Sequence, residues 1–93
     1  MDSQFDWDDN KAASNWVKHG IRFEEAKTVL MDDPNSITFP DPDHSFDEAR
    51  YIEIGLSNQG RLLVVVYVER DGLLRLISAR KATPREVRLY DQG

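Results

Sequence analysis

The sequence predicts an α+β fold in which helices pack against an antiparallel sheet. Two apolar runs, residues 62–68 and 73–77, flank an Asp-Gly dipeptide, which is typical of a β-hairpin. Two stretches with helix-capping signals precede this hairpin, and a short capped helix follows it. A chain of 93 residues is long enough for one modest core, so we expect a single domain over residues 1–93.

The N-terminal elements are predicted from caps and periodicity. Residues 4–7 alternate polar and apolar side chains, as in a short strand or an N-terminal staple. Asp8 or Asp9 caps a first helix, which Gly20 ends; Lys18 and His19 lie in its last turn, where cations suit the helix dipole. This position accounts for His19 without catalysis. The spacing gathers four apolar residues on one helix face: Ala12, Ala13, Trp16 and Val17.

The middle of the chain holds a second helix and the first strands. The helix starts near Arg22 and ends before Asp32, because Pro34 stops it. Its buried stripe consists of Phe23, Ala26, Val29 and Leu30. Residues 37–39 form a short strand candidate, and the two X-Pro dipeptides of residues 39–42 predict a loop. Residues 49–56 alternate as a strand, and residues 57–60 form a polar turn.

The C-terminal third completes a sheet of about three to four strands. In the second hairpin strand, alternation places Ser78 and Arg80 on one face and Arg75 and Lys81 on the other. Thr83 and Glu86 have the spacing of a capping box, with Pro84 at the first helical position. The predicted fold therefore has two N-terminal helices, the sheet, and a short C-terminal helix over residues 84–90.

Composition excludes several classes of protein. The longest apolar run, residues 62–68, is too short to span a membrane. The acidic N-terminus has neither the basic nor the apolar region of a signal peptide, so we expect a cytoplasmic protein. No cysteine is present for a disulfide framework or a thiolate metal site.

The net charge of −5 is unevenly distributed along the chain. Residues 1–60 hold five Lys and Arg against thirteen Asp and Glu, whereas residues 61–90 hold seven against three. One interpretation of this asymmetry is a cationic face whose guanidinium groups bind phosphate. The other is a solvent-exposed set of cations that form ion pairs with the acidic first half of the chain. The cations concerned are Arg75, Arg80, Lys81, Arg85 and Arg88.

Two further groups of residues are candidates for a metal-binding or catalytic site and for RNA binding. Asp41, Asp43, His44, Asp47 and Glu48 combine carboxylates with an imidazole, as in a divalent-metal site or a general acid–base pair. No established metal-binding spacing is present, and the two prolines favour a solvated loop, so we expect no metal and no cofactor. Tyrosines next to arginines, as at Tyr90, can stack on unpaired RNA bases, but they pack in cores equally well.

Motifs spread over nearly the whole chain resemble those of the BrnT family. They occur in the family's order: the opening 5–26 with Lys18-His19-Gly20, then Asp43-His44-Ser45, then Glu48 with Arg50 and Gly55, and finally residues 75–83 with Glu86 and Tyr90. The resemblance implies a RelE-like fold and a ribonuclease toxin of a bacterial type II toxin–antitoxin pair. It also implies a BrnA-type antitoxin with a ribbon-helix-helix domain, through which the complex binds its operator DNA.

The resemblance further implies metal-independent RNA cleavage that uses the RNA's own 2′-hydroxyl and inhibits translation, with the RNA free or on the ribosome. By position, Arg80 and Arg50 would stabilise the phosphate and the transition state, and His44 or Glu48 would act as base. RNA contacts are expected from Lys81, Arg85, Arg88 and Tyr90. A homodimer or a heterotetramer with the antitoxin is compatible with this role.

Two alternatives stay open. The first is a vestigial, non-catalytic module that binds the antitoxin and acts in operon autoregulation, because an acidic protein is repelled from RNA. The second is a metal-dependent hydrolase that uses the loop from Asp41 to Glu48.

Overall fold

Three helices and one five-stranded sheet form the described part of the computed structural model, residues 4–43 and 48–92. In chain order the elements are β1 (Phe5–Asp6), α1 (Asp9–His19), α2 (Phe23–Asp32), β2 (Ile37–Pro40), β3 (Ala49–Leu56), β4 (Leu62–Arg70), β5 (Leu73–Lys81) and α3 (Pro84–Gln92). The predicted α+β class is confirmed. No helix in these described ranges is long and apolar enough to cross a membrane.

The sheet departs from the prediction in strand number and direction. It has five strands in the order β1-β5-β4-β3-β2, not three to four. It is also mixed, because β1 runs parallel to β5 through the pairs Phe5–Leu74 and Asp6–Arg75. A two-residue strand carries almost no periodicity, so its pairing depends on the partner strand and not on its own sequence.

The central hairpin forms as predicted. Asp71 and Gly72 have φ angles of 54° and 78°, the two positive values that a type I′ turn requires. β4 pairs antiparallel with β3 on one side and with β5 on the other. The hairpin therefore supplies β4 and β5, which together with β3 form the centre of the sheet.

A β-bulge changes which side chains of β5 share a face. Ser78 pairs with Val66, but the next β4 residue, Tyr67, pairs with Leu76, so Ile77 is the additional residue on β5. The bulge reverses the alternation before it, and Arg75 pairs with Val68 on the same face as Arg80 and Ser78. The prediction that Arg75 shares a face with Lys81 is wrong for this reason.

Helices α1 and α2 cover one face of the sheet. The buried core beneath them combines residues of α2 and the preceding turn with residues of β4 and β5: Ile21, Phe23, Ala26, Val29, Leu63, Val65, Tyr67, Leu76 and Ala79. Of the stripe predicted for α2, Phe23, Ala26 and Val29 are fully buried. The hydrophobic effect thus anchors α2 to the centre of the sheet.

Helix α1 packs on the sheet through a polar residue. Asp8 caps the helix by accepting from the Asn10 and Lys11 backbone N–H groups, and Gly20 ends it with a φ of 69°, as predicted. Of the apolar face expected from the sequence, Ala12 packs against the core, but Trp16 is 44% and Val17 85% exposed. Asn15 is the buried residue of α1 instead.

Gly55 sets the distance between β3 and α2. A Cβ atom at this position would lie 2.7 Å from Val29 Cγ1 and 2.8 Å from Ser36 Cβ. We expect Gly55→Ala to lower the free energy of unfolding by about 2 kcal/mol through overpacking, measured by urea denaturation. Gly60→Asn is the matched control, since Gly60 has open space and a φ of 75° that asparagine tolerates. Equal losses in both variants would contradict the close approach.

Candidate functional site

The sheet face opposite α1 and α2, here called the open face because neither of these helices covers it, carries cations around an apolar centre in which Val64 and Val68 are buried. Directly paired residues share a face, so the strand register gives its layout. Arg50 and Arg75 lie on either side of Val68, and Arg80 lies beside Val64. Val64 and Val68 are four residues apart on one strand, a spacing of roughly 13 Å. The open face therefore presents guanidinium groups at two ends, as a site for an extended anion would.

Arg50 sits at one end of the open face on β3. Its side chain is half-buried, and its Nε atom is buried with no hydrogen-bond partner in the described ranges 4–43 and 48–92. A buried donor without a partner is costly and is usually satisfied by protein, water or a ligand. Because the protein encloses this Nε atom, a phosphate would have to contact Arg50 through the outer nitrogens of its guanidinium group.

Arg80, at the other end, is held by Glu86. Its Nη1 and Nη2 atoms donate to the two carboxylate oxygens of Glu86, each at 2.8 Å, in a bidentate pair. Glu86 also completes the predicted capping box, because Glu86 Oε1 accepts from the Thr83 N–H and Thr83 Oγ1 accepts from the Glu86 N–H. The start of α3 thereby fixes the orientation of the Arg80 guanidinium.

This pairing shifts the protonation of both groups. The Arg80 hydrogen bonds lower the pKa of Glu86 to about 2, with burial acting in the opposite direction. Hydrogen bonding to Glu86 raises the pKa of Arg80. Because the folded-state pKa of Glu86 is lowered, the pair stabilises the fold above the ordinary carboxyl pKa and is lost as the pH falls toward 2.

Helix α3 follows β5 in the chain and contacts β3. Arg85 and Arg88 are exposed on this helix. The Tyr90 hydroxyl donates to Asp33 Oδ2 at 2.8 Å, and that interaction raises the pKa of Tyr90. Burial raises the pKa of Asp33, but hydrogen bonds from the Leu56 and Asn35 N–H groups and from Tyr90 outweigh it and lower the pKa overall. Tyr90 is thus tethered to the end of α2.

The other predicted site residues lie apart from one another. Lys81 pairs with Leu63 on the helix-covered face, and its charge contributes to lowering the pKa of Glu25 there. Glu48 accepts from Arg70 Nη2 at 2.7 Å. His44 lies outside the described residues. The structure therefore brings Arg50 and Arg80 onto one face but separates Lys81 from them.

Another cation that the sequence analysis considered is paired with a carboxylate, and the predicted metal-binding loop does not form a metal site in the described residues. Arg75 forms an ion pair with Asp6 of β1. Within residues 4–43 and 48–92, no three His, Cys, Asp or Glu side chains converge as a metal-binding group. Asp41 instead accepts from the backbone N–H of Asp43, at 3.0 Å. His44 and Asp47, the remaining members of that predicted loop cluster, are among the residues that are not described.

Two buried polar networks were not predicted from the sequence. Glu53 on β3 accepts from the Tyr67 hydroxyl at 2.7 Å and from the Ser36 and Thr38 hydroxyls. Burial, followed by this hydrogen bond, raises the pKa of Tyr67. Glu25 on α2 is bound by Arg61 and Ser57. Both networks join residues that are far apart in sequence, so local patterns do not reveal the partners. The available signal was a glutamate at a core-facing position of a strand or helix.

The comparisons with known proteins come from a family model and a solved structure. Residues 7–86 match the model of a family described as ribonuclease toxin, BrnT, of type II toxin-antitoxin system. The crystal structure of the Brucella abortus ribonuclease toxin, BrnT, superposes with a TM-score of 0.66 at 26% sequence identity. That match covers 85% of this chain and 95% of the Brucella chain. No curated protein matches the sequence.

Proposed function

The chain belongs to the BrnT family of ribonuclease toxins of type II toxin–antitoxin systems, and from this premise we propose that it is a metal-independent endoribonuclease. It acts in the cytoplasm, inhibits translation by cleaving RNA, and is neutralised by an antitoxin. The observation that carries the proposal is the family match over residues 7–86, which spans most of the chain. The arginines of the open face support it, because they suit a polyanionic ligand.

The proposed chemistry uses the RNA's own 2′-hydroxyl as nucleophile. The 2′-oxygen forms a bond to the adjacent phosphorus, and the bond from phosphorus to the 5′-oxygen breaks, which leaves a 2′,3′-cyclic phosphate and a 5′-hydroxyl that has taken up a proton. The guanidinium groups of Arg80 and Arg50 stabilise the dianionic transition state of this step. Arg80 keeps donors available for this role, because a guanidinium has five N–H groups, of which Glu86 takes two and the Lys81 carbonyl takes one. His44 or Glu48 is the proposed base. Lys81, Arg85 and Arg88 contact the RNA backbone, and Tyr90 stacks on a base.

The proposed partner is an antitoxin of the BrnA type with a ribbon-helix-helix domain. The family is defined by a type II pair, which implies a protein antitoxin. The toxin would reach operator DNA only through this partner, because the chain itself has a net charge of −5. Co-expression of the two genes, followed by size-exclusion chromatography with light scattering, determines whether the complex is a heterotetramer.

The central test is Arg80→Ala. We expect induced wild-type protein to arrest bacterial growth and the variant to permit it, with RNA cleavage reduced by about 100-fold or more through loss of transition-state stabilisation. Growth curves and cleavage of a labelled RNA in EDTA measure both effects. Glu86→Gln is the matched control for folding, because it breaks the same ion pair but keeps the Arg80 charge. Full toxicity of a folded Arg80→Ala protein would contradict the role of Arg80.

The alternative is a non-catalytic module that binds antitoxin and acts in autoregulation. Pairing of Arg80 with Glu86 and of Arg75 with Asp6 favours it, because each carboxylate offsets a charge that RNA would need. This alternative predicts a stable antitoxin complex and operator binding, with no cleavage of free or ribosome-bound RNA. Cleavage that stops when the 2′-hydroxyl at the cut site is replaced by hydrogen would exclude it.

A further inference from the structure

A cavity outside the open-face site lies between α1 and β5. Its volume is about 220 Å³, below that of pockets for drug-sized ligands but suited to a phosphate with its sugar. The lining contains two lysines, a histidine and two serines but no carboxylate, in a chain with seventeen Asp and Glu. It consists of Lys11, Ser14, Asn15, Lys18, His19, Ile77 and Ser78. We call it the α1–β5 pocket.

Asn15 holds the two walls of this pocket together. Its Nδ2 donates to the carbonyl oxygens of Ile21 and Ala79, each at 2.9 Å, and its Oδ1 accepts from the Ala79 N–H at 3.0 Å. β1 pairs with β5 only at Leu74 and Arg75, so the edge of β5 near Ala79 is left for α1. The pocket is therefore built on a fixed junction of helix and strand.

The cations of the pocket differ from the arginines described above. Arg61, Arg70, Arg75 and Arg80 each pair with a carboxylate. The side chains of Lys11, Lys18 and His19 form no ion pair or hydrogen bond with any residue in the described ranges. The two lysine ammonium groups therefore have no carboxylate partner in the described ranges and can contact an anionic ligand.

The helix dipole explains the positions of Lys18 and His19 but not the position of Lys11. Lys18 and His19 lie in the last turn of α1, where positive charge is favourable. Lys11 lies in the first turn, where positive charge is unfavourable, yet it lines the same pocket seven residues from Lys18. A bound anion between these two lysines would account for a cation at the wrong end of the helix.

We propose that the α1–β5 pocket binds a backbone phosphate of RNA, with Lys11 and Lys18 supplying charge and His19 and the serine hydroxyls supplying hydrogen bonds. The identity of the ligand as RNA rests on the proposed function. Ser78 belongs to the pocket and also, by its pairing with Val66, to the open face. Arg80 lies two residues further along β5, so one RNA strand can contact both sites.

The test uses the full chain and an uncleavable 2′-O-methyl RNA tetranucleotide. Affinity is measured by calorimetry at several salt concentrations, and the His19 ring signals are followed by NMR. We expect Lys11→Gln and Lys18→Gln each to weaken binding about 5-fold and to lower the salt slope by about 0.7. Lys27→Gln, on α2 and outside the pocket, removes the same charge and should change affinity less than about 2-fold.

A parallel titration with inorganic phosphate separates the pocket from the proposed function. A His19 shift in wild type that is lost in Lys18→Gln supports a phosphate site. If RNA binds but the pocket variants behave like Lys27→Gln, or the His19 signals stay fixed, the pocket proposal is wrong and the ribonuclease proposal stands. If phosphate binds in the pocket but wild type binds no RNA even on ribosomes, the pocket is a phosphate site and the RNA function fails.

Discussion

We expect Arg61→Met to lower the free energy of unfolding by about 3 kcal/mol, because it leaves a buried carboxylate without its counter-ion. Glu25 is only 3% exposed. Its oxygens accept from Arg61 Nε at 3.0 Å, from Arg61 Nη2, and from the Ser57 hydroxyl at 2.6 Å. After the substitution only Ser57 remains of these donors. The expected loss is at the low end of the range for buried pairs because Arg61 is one-third exposed.

The same variant should reverse a pH dependence. In the wild type, Arg61 lowers the pKa of Glu25 and outweighs burial, so the stabilisation is present above the ordinary carboxyl pKa and is lost as the pH falls. Without Arg61, burial dominates and we expect the pKa of Glu25 to rise above its ordinary value. The destabilisation should therefore shrink as the pH falls through this raised pKa toward the ordinary value of 4.5, because the carboxyl is then protonated in the folded variant.

Urea denaturation at neutral pH and near pH 4 measures both effects. Arg70→Met is the matched control: Arg70 pairs with Glu48 at the surface, so the unfolding free energy should be nearly unchanged. Glu25→Gln combined with Arg61→Met should recover most of the loss, because no charge stays buried. An Arg61→Met protein as stable as Arg70→Met would show that the Glu25 contact contributes little.

Asn15→Leu is expected to be comparably severe. Leucine has a similar volume but cannot replace the three hydrogen bonds to Ile21 and Ala79, and each buried backbone group left unpaired costs about 1–3 kcal/mol. A total loss of about 4 kcal/mol would unfold a large fraction of a marginally stable domain. Thermal denaturation followed by circular dichroism measures it, with the exposed neighbour Ser14→Ala as control.

Asn15→Asp tests the hydrogen-bond donors of Asn15 separately from its acceptor, because aspartate keeps the acceptor oxygen and lacks the amide N–H groups. The introduced carboxylate can still accept from the Ala79 N–H, but it faces two carbonyl oxygens that need donors. Burial and these oxygens would raise its folded-state pKa, so its contribution to stability is present at low pH and is lost as the pH rises. Stability of Asn15→Asp that is independent of pH would contradict the assigned hydrogen bonds.

The local features of the chain were predictable because their causes are local. Asp8, Gly20 and the pair Thr83–Glu86 cap helices through hydrogen bonds and backbone angles that span at most a few residues. The turn at Asp71-Gly72 needs two positive φ angles, which this dipeptide supplies. The bounds of β3 follow from its alternation and agree with the prediction.

The candidate site was predictable only in part. The family resemblance is confirmed by the match over residues 7–86, whereas the individual roles of Arg50, Arg80 and the other proposed residues remain predictions. The α1–β5 pocket was not predicted, because Lys18 and His19 have a sufficient local explanation at the end of α1. The seven-residue spacing of Lys11 and Lys18 was the available signal, since it places both on one side of a helix.

The sequence by itself therefore determined the elements, the ends of the helices to within two residues, and the central hairpin, since caps, turns and periodicity act over short stretches of chain. The tertiary structure decided which faces meet. Strand pairing introduced the bulge that places Arg75 on the same sheet face as Arg80, and it recruited β1 into a mixed sheet. It also buried Asn15 in place of Trp16, because the edge of β5 offers backbone groups that an amide can satisfy and an indole cannot.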